Sequence, residues 1–153
     1  MRRSFLRKLL YWLILPGLIF CIVRLFLGYG TDSDTYRMLR TWQTMLLDGH
    51  YQASRAQGSL VGEFAIGALA SVGGSVGSNA MVFVVALVGL GGLVRWLEDL
   101  GVAGGLGVVA VAMTNGLFVI EASTSMDYLL ALSPFVLGIL AMEREWDALA
   151  VVL

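Results

Sequence analysis

One cysteine, one histidine and a charged fraction of only 14% are the first things this 153-residue chain is short of. With Cys21 alone, no intrachain disulfide can form. With His50 as the sole histidine, a zinc site is not expected either. Soluble domains carry roughly a quarter charged residues, so the shortage of charge excludes an ordinary soluble domain. A formal net charge of −1 lacks the positive excess on which nucleic-acid binding rests. The stretch "GGSVGSN" at 73–79 looks like a phosphate loop but lacks the Lys-Ser/Thr ending that such a loop uses.

What is present is apolar: 58% of the residues are hydrophobic and mean hydropathy is +0.83. A transmembrane helix needs about 20 mainly apolar residues. The chain is therefore expected to be an all-α membrane protein with about four transmembrane helices, near 9–28, 79–97, 102–122 and 128–142, in a single membrane domain over 1–153. The opening "MRRSFLRK" has four basic residues and no acid, so the amino terminus is expected in the cytoplasm. The following apolar run exceeds the roughly 7–15 residues of a signal-peptide core and no small-residue cleavage site follows, so a retained anchor is expected. Arg24, near the outer end of this span, can snorkel toward headgroups.

Residues 29–59 form a polar outer loop rich in tyrosine and arginine. Within it, "DTYRMLRTWQTMLLDG" carries Met38, Leu39, Trp42, Met45 and Leu46 at helical spacing, with Arg37, Thr41, Thr44 and Asp48 on the other side. This predicts an interfacial helix that starts near Thr35, capped by Ser33 or Asp34, and stops at Gly49. The small-residue run 60–77, which carries Glu63, predicts a short re-entrant or interfacial helix. That choice puts Arg95 and Arg144 on the cytoplasmic side and Asp127 outside, as the positive-inside bias prefers, whereas a full crossing at 60–77 would reverse all three. The glycines at 89–92 and 104–107 read as places where helices approach closely.

Asp32, Asp34, Glu63, Glu121 and Asp127 then gather near the outer face, and acids at membrane depth are functional candidates by default. Asp127 beside Ser123, Thr124 and Ser125 also reads as a simple turn. Carboxylates can act as a general base or hold a divalent cation, so Asp32 and Asp34 are candidates for both. Arg37, Arg40 and Arg55 suit a phosphate, because guanidinium offers a planar fork of donors. Tyr36, Tyr51 and Trp42 are either interfacial anchors or sugar-stacking surfaces.

The stretch "DSDTYRMLRTWQTMLLDGHYQASRAQGSLVGEF" resembles the first outer loop of GT-C class integral-membrane glycosyltransferases. In that class an acidic motif after the first span precedes a Tyr, a helix and a Gly-x-Tyr turn. "NAMVFVVALVGLGGLVRWLEDLG" and "STSMDYLLAL" are similar to its later helices and its second acidic site. The resemblance implies an enzyme, of mannosyltransferase or arabinosyltransferase type, that moves a sugar from a polyprenyl-phosphate carrier to an acceptor on the non-cytoplasmic face of a bacterial inner membrane. It implies Asp34 as the first choice for the catalytic acid, Asp32 beside it and Asp127 as the second acidic site. Arg37, Arg40 and Arg55, from charge and position, would neutralise the carrier phosphate; Tyr36, Tyr51, Glu63 and Tyr128 complete the expected substrate-binding set. Two departures stand out: "SRAQGSLVGE" lacks the Pro that relatives place after the Gly, and the class has about twice as many spans. The chain is thus expected to be an amino-terminal portion, inactive alone or completed by a partner chain. A non-catalytic membrane subunit and a small cation-binding transporter are the alternatives.

Overall fold

The structure, a computed structural model, describes residues 2–30, 32–54, 60–102 and 104–144. Among these every regular element is an α-helix: α1 (Arg2–Arg24), α2 (Ser33–Asp48), α3 (Leu60–Asp99), α4 (Gly105–Thr114), α5 (Gly116–Glu121) and α6 (Tyr128–Glu143). Two of them, over Phe5–Arg24 and Leu60–Asp99, are long and apolar enough to cross a membrane.

The first helix ends at Arg24 rather than near 28. Its last turn tightens through Phe26 N–H to Val23 O (3.2 Å) and Leu27 N–H to Arg24 O (3.0 Å). The polar helix α2 begins and ends close to expectation, but the cap differs. Asp32, not Ser33 or Asp34, is the N-cap, its carboxylate accepting the Asp34 N–H at 2.8 Å. At the other end Gly49 takes the left-handed conformation (φ 68°) and its N–H returns to Met45 O, which is why glycine stops the helix there. The buried face is also rotated from the expected stripe. Thr35, Met38 and Thr41 are buried while Leu46 is exposed. Thr41 points inward because its hydroxyl donates to the Gln52 carbonyl at 2.9 Å, satisfying a loop that folds back on the helix.

The expected boundary between 60–77 and 79–97 falls earlier. The polypeptide from Leu60 to Asp99 is helical throughout except at Gly74, where φ 60° and ψ −152° break it. That backbone region is open essentially to glycine alone. In a continuous helix eight residues span about 12 Å, yet a Cβ on Gly77 would stand 3.0 Å from the Leu69 carbonyl oxygen. The two arms, 60–73 and 75–99, therefore meet in a sharp bend. Nothing lies within 4 Å of a Cβ built on Gly73 or Gly74, so a methyl group at 74 costs through backbone strain alone. Gly74→Ala is expected to destabilise the fold by about 1–3 kcal/mol, and Gly73→Ala to be neutral or slightly stabilising. Thermal unfolding of the purified protein in detergent measures both.

The expected span 102–122 is likewise two helices, broken at Asn115. This residue adopts extended backbone (φ −82°, ψ 112°), closes α4 through its N–H and opens α5 by accepting the Phe118 N–H at 3.1 Å on its side chain. One amide thus ends one helix and starts the next. By contrast α6 matches its expected range, with Pro134 inside it.

Packing follows from close approaches. Along α1, Gly17 lies against the Met113 backbone of α4, and along the later arm of α3, Gly89 lies against Ser133 of α6. A side chain at either position would push the pair apart. Between them sits one apolar cluster of Cys21, Leu25, Phe83, Ala86, Val119, Ala122 and Leu129, with Leu18 and Phe118 packed on it. The earlier arm of α3 carries α2. Trp42 sits over Gly67, meets Phe64 edge-on (5.6 Å between centroids) and donates its indole N–H to Ser71 Oγ at 2.7 Å.

The two ends of this bundle are closed differently. At one end Arg144 of the α6 terminus bonds Asp99 at 2.6 Å, and Arg95 reaches the same carboxylate at 3.3 Å. Arg95 and Arg144 therefore share an end, as either course of 60–77 requires. The opposite end collects the close of α1, the start of α2, residues near Ser78 and the 122–127 turn, held by the contacts described next.

Candidate functional site: an acid-lined cavity over a buried polar clasp

Four pieces of chain distant in sequence meet at Asn79. Its side-chain N–H₂ donates to Leu25 O (3.3 Å) and Gly28 O (2.8 Å), satisfying carbonyls left open where α1 unwinds. Its side-chain oxygen accepts from the Ser125 hydroxyl at 2.6 Å. Having spent its only proton there, Ser125 accepts from Ser78 at 2.6 Å. The Ser125 carbonyl in turn accepts from the Thr35 hydroxyl at 3.1 Å. Thr35, Ser78, Asn79 and Ser125 are all fully buried, so each bond replaces water that cannot reach the group.

Alongside this clasp lies a cavity of about 440 Å³ lined by Arg24, Tyr29, Asp32, Glu121 and Thr124 among others. Asp32 comes from the start of α2 and Glu121 from the end of α5. Arg24 is fixed in the wall by Nε–H donation to Ser123 Oγ at 3.1 Å and lies over the Phe20 ring at 5.8 Å. Glu121 Oε2 is buried without a hydrogen-bond partner among the described residues. The charges of both Asp32 and Asp127 act on it. Burial, and then the neighbouring Tyr36, raise the Tyr29 hydroxyl above its ordinary pKa, so it remains a proton donor at neutral pH. Glu121 also borders a second, apolar groove of about 450 Å³ that includes Leu90, Leu93, Val111, Phe118, Tyr128 and Leu132. One carboxylate thus stands where a polar cavity and an apolar groove adjoin.

No protein-family model, curated protein or solved structure matches the chain. The reading of the site therefore rests on its own chemistry.

Of the expected site residues, Asp32 lines the acid cavity. Asp34 stands two residues on, paired with Arg37 at 3.5 Å. Asp127 is 6% exposed and sits behind the cavity at the start of α6. Tyr128 is exposed and borders the apolar groove. Tyr36 is exposed and donates to Gly30 O at 3.1 Å, its ring edge-on to Tyr29.

The remaining candidates lie elsewhere. Arg37 and Arg40 line a separate cavity on another side of α2, so apart from the Arg37–Asp34 pair they do not join Asp32 and Glu121. Arg55 lies outside the described residues. Glu63 is fully buried, accepting from Tyr51 (2.6 Å) and from the Ser54 backbone N–H (3.0 Å) and hydroxyl. It holds the 51–54 loop against α3. The bond to Glu63 chiefly, then burial, raise the Tyr51 pKa above its ordinary 10.0. Since the folded value exceeds the unfolded one, this tie is complete below about pH 10 and fades as pH rises through the raised value. Among the described residues no three His, Cys, Asp or Glu side chains gather at metal-holding spacing.

Two residues gained importance. Arg24 was legible only as a snorkelling cation, because its position at a span end accounts for it without a partner. Glu121 was grouped with the outer acids but given no role; its unbroken apolar neighbours hid the break at Asn115 that turns it into the cavity.

Proposed function

We propose that this chain is the acid-bearing module of an integral-membrane glycosyltransferase of GT-C type, acting on a sugar carried by a polyprenyl phosphate. In this reading α1, the 75–99 arm, the α4–α5 pair and α6 cross the bilayer, with the amino terminus, Arg95 and Arg144 in the cytoplasm. Meanwhile α2 and the 60–73 arm lie at the outer face. The outward apolar side chains Trp12, Ile19, Val84, Val88, Leu117 and Phe135 then meet lipid, at no cost that water would impose.

The observation that carries the reading is the junction at Glu121. A lipid-linked phosphate needs an apolar trough for its chain and a polar chamber for its head, and here the two share a wall. Arg24 is the cation of that chamber and takes the phosphate, a role first given to Arg37, Arg40 and Arg55. Asp32 takes the proton of the acceptor hydroxyl. The freed oxygen bonds to the anomeric carbon, the bond from that carbon to the phosphate oxygen breaks, and the carrier phosphate leaves with the electron pair. Its negative charge is met by the Arg24 guanidinium, a charge-assisted contact worth more than a neutral one. Glu121 shares the chamber with Asp32 and Arg24 and marks its border with the apolar trough. A divalent cation could join Asp32, and a partner chain could add helices around the trough; neither is required by the steps above.

Two measurements test this. Membranes carrying the chain are expected to transfer labelled sugar from a polyprenyl-phosphate donor faster than membranes without it; equal rates would remove the enzyme reading. Separately, Ser33→Cys and Tyr128→Cys, at exposed positions, are expected to react with an impermeant maleimide from the outer side. The native Cys21 is buried and adds little background. Reaction of position 128 from the cytoplasmic side only would separate the two acidic regions by the bilayer and end the proposal.

A further inference from the structure

The cavity that holds Arg37 and Arg40 is a built feature rather than a surface accident. It measures about 420 Å³, with Arg37, Arg40, Thr44 and Asp48 on the α2 wall and Gln52 and Ser54 across from them. The loop forming its far wall is pinned at two points: Gln52 O accepts from Thr41, and the Ser54 N–H reaches the buried Glu63. Arg37 and Arg40 are three residues apart and so project from one face of the helix. Arg37 is oriented by Asp34 at 3.5 Å.

Asp34 takes one side of Arg37 and Asp48 lines the cavity, so the forked donors of Arg40 and the remaining donors of Arg37 are what an anion would meet. The hydroxyl and amide groups of Thr44, Ser54 and Gln52 select for a ligand with hydroxyls of its own. We infer that this cavity is a second binding site, for an anionic, hydroxyl-rich group: a phosphate or carboxylate carried on a saccharide or on glycerol. The "DSD" turn divides it from the acid cavity, with Asp32 lining the first chamber and Asp34 tied to Arg37 of the second. On the function proposed above, which this role alone presupposes, the group bound here is the acceptor. Binding itself does not depend on that reading.

The test is a titration of the full chain in phosphatidylcholine nanodiscs with glucose 6-phosphate, glucose and inorganic phosphate, read by calorimetry. Glucose 6-phosphate is expected to bind saturably and more tightly than either fragment. Arg40→Gln is expected to weaken it about tenfold, the worth of one charge-assisted hydrogen bond. Thr44→Val should weaken glucose 6-phosphate but not inorganic phosphate. Arg95→Gln, at the other end of the bundle, should change nothing. Nanodiscs containing phosphatidylglycerol separate the sources: competition with glucose 6-phosphate assigns the site to a lipid headgroup, and its absence to a soluble or polymeric saccharide. No saturable binding in either nanodisc, or equal binding by Arg40→Gln, overturns the inference. Transfer lost with this binding intact would remove only the enzyme reading, and binding lost with transfer intact only this one.

Discussion

Asp32→Asn is expected to lower sugar transfer by about 10²–10⁴-fold, the usual worth of a general base, with little change in stability. The separation of the two effects comes from the geometry. Asp32 caps α2 by accepting the Asp34 N–H on Oδ1, and asparagine caps a helix about as well as aspartate. The variant therefore keeps its fold and loses the group that accepts a proton. Asp34→Asn removes an ion pair with Arg37 whose side chain is 60% exposed. Such a pair is worth about 0.2–1 kcal/mol at most, so a smaller effect on transfer is expected. Initial rates in membranes, with a thermal melt of each variant, measure both. A larger loss from Asp34→Asn than from Asp32→Asn would move the base to Asp34, the residue that the family resemblance prefers. Full activity in both would leave no acid of this turn in the chemistry.

Asn79→Leu is expected to be the most destabilising single change, by about 3 kcal/mol or more. Leucine is of similar size, so the loss does not come from a void. It comes from three partners left without a bond: the buried Leu25 carbonyl and Ser125 hydroxyl and the half-buried Gly28 carbonyl. Each costs about 1–3 kcal/mol when stranded, and relaxation recovers part of the sum. Ser78→Ala, which removes one donor at the margin of the same network, is expected to cost about 1 kcal/mol. Unfolding in mixed detergent micelles measures the pair. Their double variant should cost less than the two single losses added, because both act through Ser125. Strict additivity would mean that the clasp is not one network.

Much of the helical framework was legible from the chain alone. Periodicity found α2, an apolar run found α6, and Gly49 marked a true stop, because those signals are local to the segment that carries them. The break at Gly74 was not legible. It lies in a run of small residues in which any of several glycines could bend the backbone, and only packing of α2 on the 60–73 arm selects one. Asn115 was missed for a related reason: a single amide inside an apolar run reads as a tolerated polar residue, and its two-sided capping role exists only once the helix has broken. At the site, the acids of residues 32 and 121 could be grouped on one side by topology. Whether Arg37 joined them depended on the rotation of α2, which the inward turn of Thr35 and Thr41 shifted from the expected stripe. Hydroxyl groups that find a buried acceptor behave like apolar ones, and hydropathy does not register this.

The network around Asn79 has a consequence for biosynthesis. Its members leave the ribosome in the order 25, 28, 35, 78, 79, 125, so the Asp32 carboxylate is made long before the amide and hydroxyl that fix its surroundings exist. Contacts of such long sequence separation form late, since the intervening chain must first be ordered. The chamber thus matures late, and a chain halted anywhere before Ser125 would carry its first acids with nothing to aim them.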